Sequence, residues 1–398
     1  MKIYTEKLQS SSQKTIVCDD MILTKDLPTT AGSKMLEGYV SLFEAEVLSR
    51  LFKAGYTLGG KANVGEFAID LVGESSYFNS GEIGEKLIFA PAEILNSGEA
   101  IAVIGLDVNG SIRRGSAQNG LVSIKPTYGV VSRYGTIPVA CSGECVSVIS
   151  KTVDSLREVF FEIVGHDDKD GTSLSEEICQ SVKENSKSVK RVAVVKSMMN
   201  GADESVLQAI ERAKKSFIDN GIEVVEIENE VISLSRPAWN VLMSAELCNN
   251  VSRYDGVKFG YRAQNFIGID ELYTNSRTEA FGELLKSAIL FGSDTLSTES
   301  YFKVYDKCLR SRRLIVESFS KIFGEFDGVL MPACSKMEYT KKDIEENKSL
   351  SFEENYYTAP ASITGLPAVV CGGVQLVGSA FSENKLLSLC EILEKGVN

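Results

Sequence analysis

Apolar positions along this chain alternate between helical and extended spacing. Phe43 to Ala54 carries an apolar stripe at helical spacing, with Gly55 placed to end it. Ala100 to Ile104 is a short unbroken apolar run and predicts a buried strand. A second helix is expected over Val153 to Val164, capped by Thr152. Arg191–Lys196, Glu204–Asp219 and Ile222–Glu226 read as strand, helix and strand, a unit that pairs its strands in parallel through a right-handed crossover. Helical spacing returns at 278–291 and 300–322, Asp327–Pro332 reads as another buried strand, and Phe381–Glu394 as a closing helix. The polar, charge-rich stretches 167–190 and 335–354 read as loops. With neither a repeat nor a long linker, the expected fold is α/β: a single large domain over residues 1–398, with a mixed central sheet covered by helices.

Composition narrows the function classes. No run approaches the roughly 20 apolar residues of a membrane span, and the polar start Met1-Lys2-Ile3-Tyr4 lacks a signal-peptide core, so a cytoplasmic protein with no membrane partner is expected. Nine cysteines are scattered singly apart from Cys141 and Cys145, a pattern of reduced thiols. His166 is the one histidine, which removes a Ser-His-Asp triad and a multi-histidine metal site; neither metal nor cofactor is expected. A net charge of −12 suits nucleic acid poorly, so any nucleic acid would be reached through a partner.

Two glycine-rich segments are candidates for chemistry. Gly55-Tyr56-Thr57-Leu58-Gly59-Gly60-Lys61-Ala62 mimics a phosphate loop but has Ala62 where a magnesium-binding hydroxyl belongs, and it follows a helix; nucleotide binding is rejected. Gly105-Leu106-Asp107-Val108-Asn109-Gly110-Ser111-Ile112-Arg113 follows the expected strand at 100–104. Gly and Asn accept positive φ, so the chain can turn sharply and aim successive N–H groups at one point beside Ser111. Such a serine either meets an oxyanion pocket or caps the next segment, and the pattern alone leaves both open.

Asp107-Val108-Asn109-Gly110-Ser111-Ile112-Arg113 resembles the D-T-G-G-S-I-R heart of the amidase signature family. Gly120–Gly129 and Val131–Gly135 continue the likeness, most closely to the A-subunit branch of glutamine-dependent Glu-tRNA(Gln)/Asp-tRNA(Asn) amidotransferases. Pro28–Leu36, Gly60–Asn63 with Glu66–Ala68, Ser252–Val257, Thr364–Pro367 and Val374–Gly378 follow in collinear order. The resemblance runs from about Val17 to near the end of the sequence.

The resemblance implies a serine nucleophile activated by a cis-peptide serine and a lysine. It places the nucleophile on Ser111 and the oxyanion donors around Val108, Asn109 and Gly110, although Val108 and Asn109 replace a family Thr and Gly. The family lysine belongs to a V-K-D-N motif that reads Val17-Cys18-Asp19-Asp20 here, putting Cys18 in its place; Lys61 belongs to another motif. Ungapped counting puts Leu87 at the cis-serine, with Ser75, Ser76 and Ser80 upstream as replacements in a shifted register. The family's substrate-holding arginine corresponds to Arg312, and its acidic partner to Asn355, which has lost the charge. Only 16 residues precede Val17, so the helices usual there are expected to be missing. Three readings stand: a degenerate A-subunit-like component of an aminoacyl-tRNA amidotransferase, working with B- and C-subunit-like partners and impaired in glutamine hydrolysis; an active amidase using Ser111 with a rebuilt base; or a non-catalytic binding or scaffold protein.

Overall fold

A computed structural model of the chain describes residues 2–10, 12–79, 85–185 and 188–397. Eleven strands among these form one mixed sheet. They are β1 (Tyr4–Lys7), β2 (Thr15–Asp19), β3 (Thr57–Ala62), β4 (Ala102–Asp107), β5 (Val122–Lys125), β6 (Cys145–Ser150), β7 (Arg191–Val195), β8 (Glu223–Ile227), β9 (Gly328–Met331), β10 (Ala368–Cys371) and β11 (Val374–Val377). Their spatial order is β1-β3-β2-β4-β6-β5-β10-β11-β9-β7-β8. The middle, from β4 through β6, β5, β10 and β11 to β9, is antiparallel, and parallel pairs flank it on both sides. Central strands β4, β6 and β10 are buried at every position, as expected of strands covered on both faces.

The α-helices are α1 (Glu46–Lys53), α2 (Ala90–Asn96), α3 (Ser111–Gln118), α4 (Val153–Ile163), α5 (Glu176–Glu184), α6 (Glu204–Asp219) and α7 (Ser235–Val251). After them come α8 (Gly268–Ala280), α9 (Glu283–Thr295), α10 (Asp306–Ile322), α11 (Lys341–Glu346), α12 (Leu350–Glu353), α13 (Asn355–Thr364) and α14 (Glu383–Val397). Side chains alternate across the sheet, so strands such as β2, β4 and β6 feed two cores. Ile16, Cys18 and Ile104 join the larger core with residues of α1, α4, α7 and α14. Val17, Val103 and Ile149 join the smaller one with residues of α2 and α3.

The expected strand–helix–strand unit is present as β7–α6–β8 with parallel strands, and Thr152 caps α4 by accepting from Ser155 N at 3.2 Å. The 278–291 pattern spans a break instead: α8 ends at Ala280, and Gly282 starts α9 afresh. The stretches read as loops contain α5, α11 and α12. Thr340 and Asp343 form a capping box on α11, so its six residues are set by their cap rather than by an apolar stripe. Thr57–Ala62 is itself a strand, which leaves no phosphate loop.

One buried cation ties the middle of the sheet together. Arg113 on α3 pairs through two nitrogens with Asp107 at 2.9 and 3.0 Å, both side chains being fully buried. The same guanidinium donates to the Thr358 carbonyl (2.7 Å), Ser362 Oγ (2.8 Å) and Gln375 Oε1 (2.9 Å), joining β4, α3, α13 and β11. Burial works against the Asp107 charge, but the Arg113 guanidinium outweighs it and holds the carboxyl below the usual carboxylate range. Removing one member of such a pair leaves an unpaired buried charge, at a cost of about 3–5 kcal/mol. Arg113→Met is therefore expected to lower the unfolding free energy by about that amount in urea denaturation; a loss under about 1 kcal/mol would show that the network does not hold the fold.

Candidate active site

β4 ends at Asp107, the chain turns through Val108 and Asn109, and Gly110 at φ 84° begins α3. A Cβ at Gly110 would meet the Thr358 side chain at 2.4 Å, so both conformation and space demand glycine there. Ser111 is thereby the first residue of α3, where the helix N-terminus favours negative charge. This is the strand–turn–helix placement that the sequence suggests for a nucleophile.

The space in front of Ser111 is small. The adjoining cavity has a volume of about 20 Å³ and is lined by Asp19, Asn63, Asp70, Phe89 and Pro91 among others. About 10–15 Å³ suffices for one water, so the cavity has room for a water and not for an amide substrate. Phe89 lies against Gly115, where a Cβ would come within 2.5 Å of its ring, and the segment carrying it is fastened down. Leu87 is buried and donates through its N–H to the Tyr339 carbonyl at 2.9 Å, while Lys341 N donates to the Glu85 carbonyl at 2.8 Å.

On the far side of the turn, Asn109 extends its amide into the protein. Its Nδ2 donates to the Ile69 carbonyl at 2.9 Å, and its Oδ1 accepts from the Trp239 indole at 3.1 Å. The Asn355 amide ends 2.6 Å from Asn240 Oδ1 and 3.0 Å from Asn109 Oδ1. Asn109 and Asn355, expected as an oxyanion donor and a substrate contact, thus come together and bond to the protein's own groups. Arg312 does not join them: it donates to the Ser142 carbonyl at 3.2 Å and does not line the Ser111 cavity. Val108 is wholly buried in the larger core.

Base candidates separate by sheet face. Cys18 points into the larger core, where burial pushes its thiol up to about 12. Its neighbour Asp19 points the other way and lines the Ser111 cavity. Lys61 stands beside Cys18 in the β2–β3 register but is committed to Asp20 (3.0 Å), the Pro28 carbonyl (2.9 Å) and the Thr29 hydroxyl. Lys125, the other wholly buried lysine among the described residues, reaches the Pro126 carbonyl and Cys145 Sγ, and burial lowers its affinity for a proton. Neither amine lines the cavity. Ser75 donates to Asp70 Oδ2 at 2.8 Å and Ser76 to Asn63 Oδ1 at 2.7 Å, while Ser80 lies outside the described residues.

The cavity is instead acidic. Burial raises Asp19 to about 7, against the pull of the Leu106 and Met21 N–H groups. Burial, helped by the nearby Glu74 carboxylate, raises Asp70 to about 8. Asp19, Asp70, Phe89 and Trp239 were all absent from the residues expected at the site. The period of two in β2 does carry a signal for Asp19, since adjacent residues face opposite sides.

An amidase family profile matches residues 16–82 and 92–387. The chain belongs to the amidase family. The unmatched interval, 83–91, contains Leu87 and Phe89, so the departure from the amidase pattern falls on the segment that fills the cavity. The A-subunit of glutamyl-tRNA(Gln) amidotransferase from Lachnoclostridium phytofermentans is 34% identical over 407 residues, covering 96% of this chain and 82% of that protein. The corresponding A-subunit of Coxiella burnetii is 34% identical, covering 93% and 80%. The crystal structure of the Thermotoga maritima A-subunit superposes with a TM-score of 0.78 at 27% identity, covering 96% of this chain and 82% of that one. The Kluyveromyces lactis urea amidolyase shares the amidase fold at TM-score 0.80 and 21% identity, covering 95% of this chain and 22% of that one. No helix among the described residues is long and apolar enough to cross a membrane.

The Asp70 carboxyl holds its proton to about pH 8 in the folded chain, whereas an unfolded Asp releases it near 3.9. Its contribution to stability is therefore complete below about pH 4 and falls as pH rises toward 8, because there the unfolded state alone has ionised. Asp70→Asn keeps the acceptor for Ser75 without this penalty. Its stability relative to wild type should improve between pH 5 and pH 8 in urea titrations in sodium phosphate; a constant difference would show that Asp70 is already ionised at pH 5.

Proposed function

We propose that this chain is an A-subunit-like component of a glutamine-dependent aminoacyl-tRNA amidotransferase whose own glutamine-hydrolysing centre is silent. The observation that carries the reading is the cavity beside Ser111: one water in size, faced by two carboxyls and a phenyl ring, with no amine or imidazole among the described residues that line it. A serine hydroxyl without a base is a poor nucleophile, and triad removal in a serine hydrolase leaves only roughly 10³–10⁴-fold acceleration. Here the position that the resemblance gives to the family lysine is Cys18, which lies in the larger core, and the neighbouring Asp19 carboxyl lines the cavity.

Retention of the family motif has a structural cause that does not require catalysis. Asp107 and Arg113 are spent on the network joining β4, α3, α13 and β11. Arg277 likewise donates to the Val251 and Tyr254 carbonyls, and Ser276 Oγ accepts from Ala263 N, so α8 braces the Ser252–Val257 match and its flanks. The rebuilt-base amidase would need Asp19 or Asp70 as base and substrate room that the cavity lacks.

In the assembly, B- and C-subunit-like partners would hold the aminoacyl-tRNA, and ammonia would come from free ammonium or from a different component. Co-expression with the B- and C-subunits of a relative is expected to give a co-purifying complex. That complex should amidate misacylated tRNA with ammonium chloride and run at least roughly 10³-fold slower with glutamine as donor, the scale of losing a base. Equal rates with the two donors would overturn the silent-centre reading, and failure to co-purify would overturn the partner assignment.

A further inference from the structure

Another cavity, of about 500 Å³, opens between the turn at residues 34–39, the segment 136–138 and the loop at 253–261. It shares no lining residue with the cavity beside Ser111. Its inner wall is apolar, with Leu23, Met35, Leu36 and Ile137 all buried. The loop is fastened to the turn: Tyr261 N donates to the Met35 carbonyl at 2.8 Å, and Gly256 N to the Phe259 carbonyl at 3.0 Å. Gly260, at φ 87°, lies so close that a Cβ would meet Met35 Sδ at 2.4 Å. A held cavity of about 300–1,000 Å³ with mostly apolar walls and a few polar groups is the form of a small-molecule site.

The polar groups facing this space are unmatched. Tyr254 lines it while only 7% exposed, and its ring packs 5.8 Å from that of Phe67. Its hydroxyl has no hydrogen-bond partner among the described residues and is not wholly enclosed. Burial raises the Tyr254 phenol, the Arg253 charge opposes this and Tyr39 adds to it, so the three polar ends are within electrostatic reach of one another. Arg253 donates through Nε to the Asn250 carbonyl at 3.0 Å and pairs with no carboxylate among the described residues, which leaves its two terminal nitrogens for a ligand. The Lys34 ammonium stands 4.1 Å from the Tyr261 ring centroid, again without a carboxylate partner among the described residues. Glu37, exposed at the rim, is the acidic residue among those lining the cavity.

We propose that this cavity binds a small aromatic carboxylate, its ring against Met35, Ile137 and Phe259 and its carboxylate on the Arg253 guanidinium and the Tyr254 hydroxyl. A planar guanidinium with both terminal nitrogens unused matches the two oxygens of a carboxylate. The Tyr254 hydroxyl supplies a further donor, and Lys34 adds positive charge to the same wall. Apolar side chains and aromatic rings favour a flat apolar body, through burial and offset ring contacts. A neutral aromatic would cover the Arg253 cation without giving it an anion, which costs free energy. Acetate has the charge but not the ring. The site stands apart from Ser111 and holds whether or not that serine is silent.

Fluorine NMR of 4-fluorophenylacetate titrated into the full chain tests the site, with 4-fluorophenethyl alcohol as the uncharged probe. One 4-fluorophenylacetate per chain is expected, bound in the low-millimolar range or tighter. Arg253→Gln should weaken it at least about tenfold, the scale of a charge-assisted hydrogen bond, and Tyr254→Phe about fivefold, the scale of a neutral one. Ser111→Ala should bind it as the wild type does. Fluorescence of Trp239, the one tryptophan, verifies that each variant is folded; if Tyr254→Phe does not fold, Arg253→Gln, changed at an exposed side chain, decides. No binding to the folded wild type, or equal binding to wild type and Arg253→Gln, would overturn the proposal. So would equal affinity for the alcohol, or loss of binding in Ser111→Ala. Binding that disappears as the protein dimerises at higher concentration would show that a second copy covers the cavity, which also overturns it.

Discussion

The buried contact between Asp107 and Arg113 is the constraint around which the rest is arranged. It spans the turn that leaves β4 and enters α3, and its remaining donors reach α13 and β11 across the middle of the sheet. A charge pair taken out of water is retained only with its other valences met, and here every guanidinium nitrogen has a partner. Arg114 does similar work one residue on, collecting three carbonyls and a hydroxyl around the same turn. Ser111 sits between these contacts. Its position is fixed by these contacts, so the proposed reading needs no hydrolysis to account for the serine and the glycine before it.

On the proposed reading, silence at this site is a matter of space as much as of missing groups. A flexible loop beside a nucleophile leaves room for substrate; here Phe89 and Pro91 fill that side, and Gly115 makes way for the ring. From the turn, the Asn109 amide reaches Trp239 and Asn355. These contacts supply the apolar burial and hydrogen bonds that an empty substrate pocket forgoes. Cys18, at the position the resemblance gives to the family lysine, lies among residues of the larger core.

Much of this architecture was legible in the chain. The β7–α6–β8 unit, the strand ahead of Asp107, the helix capped by Thr152 and the placement of Ser111 follow from local periodicity and turn chemistry, which act within a few residues. What was not legible depends on long-range placement. Asn109 meets Trp239 across 130 residues of sequence, and Arg113 meets Gln375 across 262, distances at which a single sequence carries no pairing signal. The motif puts Cys18 at the family lysine, while the strand's period of two brings its neighbour Asp19 to the cavity beside Ser111. Arg312 was chosen by its place on a helix, and the loop it actually touches, at Ser142, carries no mark of that contact. The short α11 escaped because its residues are mostly exposed and lack an apolar stripe, and α12 because four residues are too few to show a helical period.

The central claim is that Ser111 is neither activated nor reachable by an acyl substrate. The most direct measurement is intact-mass analysis of the folded chain after incubation with a fluorophosphonate, which reacts with activated serines, alongside Ser111→Ala. The account predicts no adduct on either protein. An adduct on the wild type that Ser111→Ala lacks would show a working nucleophile with room before it, and would contradict the account.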